Sequence, residues 1–166
     1  LRRQRQMCIR DRWIEWASSH SVAPEIMAFA KQYPQVFDCY SDLGKKDKNP
    51  YIFNPMTGNV RAFCSPRSLA KASNLIQHRS VLGSALLPAL AGTVGEAAAR
   101  DMEALVNLAD QLPLFETIVK QPLKAKVPDG AGALFILAFM LAGRVDADTL
   151  DPVMDYAERV SDASFE

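Results

Sequence analysis

The stretch from residue 65 to residue 76, SPRSLAKASNLI, carries the clearest helix signal in this chain of 166 residues. Ser65 is a favoured N-cap residue, and Pro66 is favoured at the first helical position because the N–H that proline lacks would have no partner there. Apolar residues then recur at helical spacing, at Leu69, Ala72, Leu75 and Ile76. We therefore predict a helix that begins at Pro66 and buries this face.

Helical periodicity also marks four further segments of the chain. Their predicted buried faces are Ile26, Phe29, Ala30 and Tyr33; Met102, Leu105, Val106, Ala109 and Leu112; the apolar run 131–142; and Leu150, Val153, Met154, Ala157 and Val160. The apolar segment 81–90 is predicted to be interrupted at Pro88. Residues 38–60 are polar and rich in helix breakers, and residues 51–53 fit a short strand or an extended piece held by aromatic side chains. Together these segments predict an all-α bundle of five or six helices with an irregular loop around 38–60.

Several residues are predicted to start or stop these helices. Thr93 and Glu96 match a capping box at the start of the long helix. Gly143 is expected to follow the apolar helix as a C′ glycine. Either Asp148 or Asp151 is expected to cap the last helix.

The formal net charge is zero, but the charge is unevenly spread along the chain. Residues 1–12 hold five arginines and one acid, so this segment carries +4 and residues 13–166 carry −4. The run RRQRQMCIRDR resembles translated sequencing-adapter sequence, and we interpret residues 1–12 as a non-native basic tail. A nucleic-acid arm is the alternative, whereas a targeting peptide is disfavoured because no apolar region follows. The mildly acidic body predicts no nucleic-acid partner.

The cysteines and the hydropathy of the chain indicate the cellular environment in which it folds. Cys8, Cys39 and Cys64 are an odd number without CxxC spacing, so we expect neither a disulfide framework nor a zinc site. Such cysteines suit a reducing cytoplasm. The longest apolar run, 131–142, is too short to cross a hydrocarbon layer of about 30 Å, so we expect a buried helix and no membrane.

No complete catalytic constellation is found in the sequence. It contains neither GxxxxGK[ST] nor GxGxxG, nor HExxH or GxSxG. His20 and His78 are far apart, and His78 is expected to lie on the surface at a helix C-terminus. The acids along the long helix and just beyond it are expected to form a solvated face: Asp101, Glu103, Asp110 and Glu116.

Arg67 departs from this unremarkable pattern. It falls in the first turn of its helix, where the helix dipole disfavours a cation but free backbone N–H groups favour an anion. An arginine at this position can help to hold a phosphate, or it can simply extend into solvent. The residues alone leave both interpretations open.

The motif Phe63-Cys64-Ser65-Pro66-Arg67 resembles sensor 2 of MoxR-like AAA+ ATPases, in which a hydrophobic residue and [ST]-P-R precede the lid helix. Other segments resemble the same group in the same order: WIEWA at 13–17, LAGTVGEAAA at 90–99, DQLP at 110–113 and KVP at 126–128. The resemblance covers residues 13–166, which would be the helical lid domain. Leu69 departs from the tryptophan that many members place there, and the nucleotide-binding core is not encoded in this sequence.

The resemblance implies a function through ATP. Arg67 would reach the γ-phosphate and report nucleotide state, while Mg and most of the ATP would be held by the core domain. The expected partners are that core, neighbouring subunits of a ring oligomer, and a protein with a von Willebrand factor A domain. The group includes chaperone-like remodellers of protein complexes. The chain alone is expected not to hydrolyse ATP.

The resemblance also implies structural roles for a few other residues. Glu96 would cap its helix, Gly92 and Gly95 would permit the turn before it, and Trp13 and Trp16 would anchor the lid near the core.

The alternative is a free-standing all-α protein-interaction module, with Arg67 a surface residue and no nucleotide bound. A lid separated from its core is expected to expose an apolar patch near Trp13, Trp16 and Phe63, whereas a complete module is not. We further expect residue 166 to be a truncation point rather than a natural end.

Overall fold

The computed structural model describes residues 2–42, 49–57 and 61–163. Within these ranges the chain forms nine α-helices and four short 3-10 turns, and no strand. The predicted all-α bundle is therefore confirmed, with additional one-turn helices between the longer ones. The helices are α1 (Arg2–Ser19), α2 (Pro24–Gln32), α3 (Pro66–Gln77), α4 (Arg79–Leu82), α5 (Leu86–Val94), α6 (Glu96–Ala109), α7 (Phe115–Lys120), α8 (Ala131–Ala142) and α9 (Leu150–Ala163).

The larger apolar core lies between α2, α3, α5, α6 and the inner face of α8. Helix α2 is central to it, since Ile26, Phe29 and Ala30 are fully buried. The predicted faces of α3 and α6 are buried as well, with Leu69, Ile76 and Met102 inaccessible to solvent. Burying a large aliphatic side chain of this kind stabilises the fold by roughly 1.5–3 kcal/mol.

A smaller core forms between α7, α8 and α9, and it includes Ile118, Leu141 and the fully buried Tyr156. The Tyr156 hydroxyl donates to the carbonyl oxygen of Lys126 at 2.6 Å, which fastens the 121–129 connection to α9. Helix α8 takes part in both cores, because Ile136 faces the larger core and Leu137 the smaller one.

The irregular region around 38–60 contains short 3-10 turns at Tyr40–Asp42 and Pro55–Thr57, and a further one at Pro34–Phe37 precedes it. Both interpretations of the backbone at residues 51–53 are wrong, because the chain turns at Tyr51 and Ile52 and forms neither a strand nor an extended piece. The expected aromatic contacts are present. The buried Tyr51 ring lies 6.0 Å from that of Phe29 and 5.8 Å from that of Tyr33. Residues 43–48 and 58–60, part of the predicted loop, lie outside the described residues.

The predicted capping box of the long helix is wrong. Thr93 lies in the last turn of α5 and its hydroxyl donates to the carbonyl oxygen of Ala89 at 2.8 Å. The N-cap of α6 is Gly95, which has φ +91° and no side chain to cap with. Glu96 is instead the first residue of α6 and pairs with Arg100 at 3.3 Å on an exposed face. The chain turns sharply here, and the turn uses the positive φ that glycine allows instead of a side-chain cap.

Three other boundary predictions also need correction. Pro88 does not interrupt a helix, because it is the third residue of α5, where its missing N–H costs nothing. Gly143 follows α8 with φ −82°, so it is not a left-handed C′ glycine. Thr149, rather than Asp148 or Asp151, precedes the first residue of α9, and its hydroxyl and backbone N–H donate to the Asp146 carboxylate at 2.7 and 3.0 Å.

Helix α1 runs without a break from Arg2 to Ser19, across the boundary drawn between residues 12 and 13. Within it, Arg10 pairs with Asp11 at 2.9 Å. The division into a tail and a body stays a prediction. Among the helices that the structure describes, none combines the length and apolar content of a membrane span.

Candidate functional site

Arg67 is the second residue of α3 and its side chain is exposed. Within the part of the chain that the structure describes, its guanidinium has no hydrogen bond or ion pair. Most other arginines there are engaged. Arg79 pairs with Asp110 at 2.8 Å, Arg144 pairs with Glu116 at 2.5 Å, and Arg159 donates to two backbone carbonyl groups. Arg67 thus keeps its donors available to a ligand.

The backbone beside Arg67 has fewer free N–H groups to bind an anion than the sequence predicts. Ser65 and Ser68 form a capping box: the Ser68 N–H donates to Ser65 Oγ at 3.1 Å, and the Ser65 N–H donates to Ser68 Oγ at 2.8 Å. Pro66 has no N–H to offer. The predicted cluster of free N–H groups is therefore largely used up by the cap, and an anion at this helix end would bind the Arg67 side chain.

The exposed face of α3 is basic. The helix contains no acidic residue, and Lys71, one turn after Arg67, is also exposed. Residues four apart lie on the same side of a helix, so the two cations share one face. Without a neighbouring carboxylate on α3, nothing on this helix neutralises them.

The helix that carries Arg67 is firmly held. The Trp13 indole N–H donates to the carbonyl oxygen of Pro66 at 3.2 Å, which links α1 to the first turn of α3. The Ser73 hydroxyl accepts from the backbone N–H of Ala23 at 2.8 Å, which links the middle of α3 to the start of α2. Leu69 and Ile76 are fully buried beneath it. The backbone of Arg67 is thereby fixed, while its long side chain can still change rotamer.

Exposed aromatic residues flank the start of α3, but the predicted apolar patch is only partly present. Trp13 is buried, with 7% of its surface exposed, and its ring packs 5.6 Å from that of Phe37. Trp16 and Phe63 are 41% and 38% exposed. Phe63 lies 5.4 Å from the ring of Phe53, which is also exposed. The prediction is therefore wrong for Trp13, whose partner ring lies in this chain, and correct for Trp16 and Phe63.

The acids near α6 do not form a uniform solvated face. Asp101 is half-buried and accepts a hydrogen bond from the Tyr51 hydroxyl at 2.7 Å, so the prediction is wrong for this residue. Burial and this hydrogen bond raise the pKa of Tyr51, and burial together with the Asp101 charge raises the pKa of Cys64 to about 12. Tyr51 and Asp101 are fifty positions apart in the sequence. Hydrophobic periodicity describes only neighbouring residues, so it could not predict this hydrogen bond.

The charged residue Glu25 was missed in the sequence. Glu116 is exposed, as predicted, but it also forms an ion pair. Glu25 is buried in α2, and its carboxylate lies 3.6 Å from Arg79, which also binds Asp110. At Glu116 a backbone hydrogen bond and the Arg144 guanidinium lower the pKa of the carboxyl. These groups act as structural ties between helices.

The histidines and cysteines serve local roles. His20 stacks on Trp16 at 4.4 Å, and His78 hydrogen-bonds through Nδ1 to the Asn74 carbonyl oxygen at 2.7 Å at the exposed end of α3, as predicted. Cys8, Cys39 and Cys64 are free thiols. Among the described residues, no three His, Cys, Asp or Glu side chains are grouped as metal ligands.

Comparison of the chain with protein-family models, curated proteins and solved structures finds no match. The chemistry of the site therefore rests on its own geometry. That geometry is an unpaired planar cation, on a basic helix face, at the end of a fixed helix. It suits the binding of a phosphate or a carboxylate rather than acid–base or nucleophilic catalysis.

Proposed function

We propose that this chain is the helical lid of a MoxR-like AAA+ ATPase and that Arg67 is its sensor-2 arginine. In this role Arg67 contacts the γ-phosphate of ATP and couples nucleotide state to the position of the lid. The observation that carries the proposal is the combination of a free guanidinium with a firmly held helix. The ordered set of motifs from residue 13 to residue 128, which resembles that of the MoxR-like group, supports the choice of family.

The residues present fit the phosphate end of ATP but not its metal. Arg67 can donate two parallel N–H bonds to phosphate oxygens, and Lys71 on the same face adds positive charge. The described residues offer no cluster of carboxylates for Mg. In the proposal the core domain binds Mg and most of the nucleotide, and ATP supplies the phosphoryl charge that the lid detects.

The mechanism for this chain is conformational. A charge-assisted hydrogen bond from Arg67 contributes roughly 1.5–3 kcal/mol, enough to favour a closed lid by about one to two orders of magnitude. Because α3 is tied to α1 through Trp13 and to α2 through Ser73, a pull on Arg67 moves these helices as one unit. Loss of the γ-phosphate removes the contact and releases the lid.

The remaining elements of the proposal come from the family resemblance. The assembly would be a ring oligomer in the cytoplasm with chaperone-like activity on protein complexes. A protein with a von Willebrand factor A domain would be its partner. By itself the chain binds ATP weakly and does not hydrolyse it.

A first experiment is to sequence the native DNA upstream of the Trp13 codon. An in-frame segment with GxxxxGK[ST], followed by a hydrophobic strand that ends in acidic residues, is the expected result. A start codon close to Trp13 without that segment would reject the ATPase lid. The helical interaction module would then replace it.

A second experiment tests Arg67 directly in this chain. Addition of millimolar ATP should shift the backbone amide NMR signals of residues 65–69, and Arg67→Gln should abolish the shifts. Lys71→Gln is the matched control, because it removes the same charge from the same helix face and should only weaken them. Equal effects of the two substitutions would show that only the general charge of α3 matters, which contradicts a sensor role.

A further inference from the structure

We propose that the groove between α8 and α9 is a docking site for a basic amphipathic helix of a partner protein. The site lies on the smaller core, away from Arg67 and α3. It does not depend on the proposed ATPase function.

The groove has a volume of about 510 Å³ and an almost wholly apolar lining. Leu134, Phe135 and Ala138 of α8 form one wall, and Val153 and Ala157 of α9 form the other. Helix α8 has no polar side chain from Ala131 to Ala142, although Ala138 is exposed. A helix that is apolar on every side is normally covered on every side, so this face is suited to a partner.

The apolar surface continues beyond the groove along α9. Leu150 and Met154 are 48% and 53% exposed. At 100° per residue, Leu150 and Met154 lie beside Val153 and Ala157 around the axis of α9, so they extend the same apolar face. Together these side chains lie three and four residues apart along one side of α9, the spacing at which an amphipathic helix packs into a groove.

The charge beside this surface selects the occupant. The next face of α9 carries four exposed acids: Asp151, Asp155, Glu158 and Asp162. None of them has an ion pair within the described residues. The only basic residue of α9, Arg159, lies one turn after Asp155, but its guanidinium is directed to the carbonyl oxygens of Pro122 and Ala125. An apolar stripe bordered by uncompensated carboxylates is complementary to a helix with leucine-like residues on one face and lysine or arginine beside them.

The test uses two synthetic peptides of about 14 residues, close to four helical turns. One carries leucine at helical spacing with lysine elsewhere, and the other replaces every lysine by glutamate. Calorimetric titration of the full chain should show binding of the lysine peptide only. Equal binding of both peptides, or binding of neither, would overturn the proposal.

Two test variants, each with a matched control, locate the binding. Ala138→Arg places a cation in the groove and should weaken binding of the lysine peptide at least tenfold. Ala104→Arg, the same change at an exposed position of α6, should leave it unchanged. Neutralising Asp155 and Glu158 as Asn and Gln should weaken binding about three- to tenfold at low salt, whereas neutralising the exposed Glu15 and Glu96 should not. Binding unaffected by Ala138→Arg would place the peptide elsewhere and overturn the proposal.

A second copy of the chain is the competing occupant. Analytical ultracentrifugation of the unmodified chain and of Ala138→Arg separates the two. A monomer in both cases supports a partner helix. A dimer that Ala138→Arg dissociates would show that the groove joins two copies, and the proposal would be wrong.

Discussion

Replacing Trp13 by phenylalanine tests how firmly α1 holds the first turn of α3. The substitution removes the indole N–H that donates to the Pro66 carbonyl oxygen at 3.2 Å, a bond whose loss costs about 1 kcal/mol. The ring is 7% exposed, so the smaller phenyl group also leaves a void. A void of roughly 40 Å³ costs about 1 kcal/mol more at about 24 cal/mol per Å³. We therefore expect a loss of about 2 kcal/mol in the free energy of unfolding.

The matched control is Trp16→Phe, the same substitution one turn along α1. Trp16 is 41% exposed and contacts mainly the His20 ring, so its loss should cost less than about 0.5 kcal/mol. Urea unfolding followed by far-UV circular dichroism measures both variants without relying on tryptophan fluorescence. Equal losses for the two variants, or an unchanged midpoint for Trp13→Phe, would refute the assignment of Trp13 as the tie between the helices.

Three further substitutions, one of them combined with a pH titration, test other parts of the fold. Gly95→Ala should lower stability by about 1–3 kcal/mol in thermal unfolding, because its φ is +91° and a Cβ would lie 2.9 Å from the Ala62 carbonyl oxygen. Gly92→Ala, with open space around it inside α5, should instead raise stability by about 0.5–1 kcal/mol; a gain at both sites would contradict the turn geometry. Because burial raises the pKa of Cys64 from 9.0 to about 12, the unfolded chain loses this proton first as pH rises, and stability should fall above pH 9. At pH 10 the fall from this group is about 1.4 kcal/mol, and Cys64→Ala should flatten that part of the urea midpoint profile; an unchanged slope would place the titration elsewhere.

Much of the bundle could be predicted because its signals are local. The start of α3 at Pro66, the buried face of α2 and the extent of α8 all follow from periodicity and from residues adjacent in sequence. The turn between α5 and α6 could not be predicted in the same way. Thr93 and Glu96 have the spacing of a capping box, but Gly95 takes a conformation that suits the close approach of residue 62. The local sequence allows both a capping box and a glycine turn, and tertiary packing selects the glycine turn.

In the candidate site, too, features set by adjacent residues could be predicted, and features set by the assembled fold could not. The position of Arg67 in the first turn of α3 followed from Ser65 and Pro66. The use of the nearby N–H groups by Ser68 did not, because serine is a less common member of a capping box than glutamate or glutamine. The ties from Trp13 and Ser73, which join residues fifty or more positions apart, depend on the assembled fold.

The participation of α8 in both cores has a consequence for synthesis on the ribosome. Chain growth is vectorial, and the helices from α1 to α6 emerge well before residue 131. Until then, α2 lacks α8, the helix that it contacts most extensively, and Gly132 has not yet reached Leu105 and Gln32, which its backbone approaches closely. The larger core therefore closes late, when α8 arrives, and the smaller core, built from residues 112–160, follows almost at once. A nascent chain stalled before residue 131 would present an open apolar cleft to chaperones and proteases.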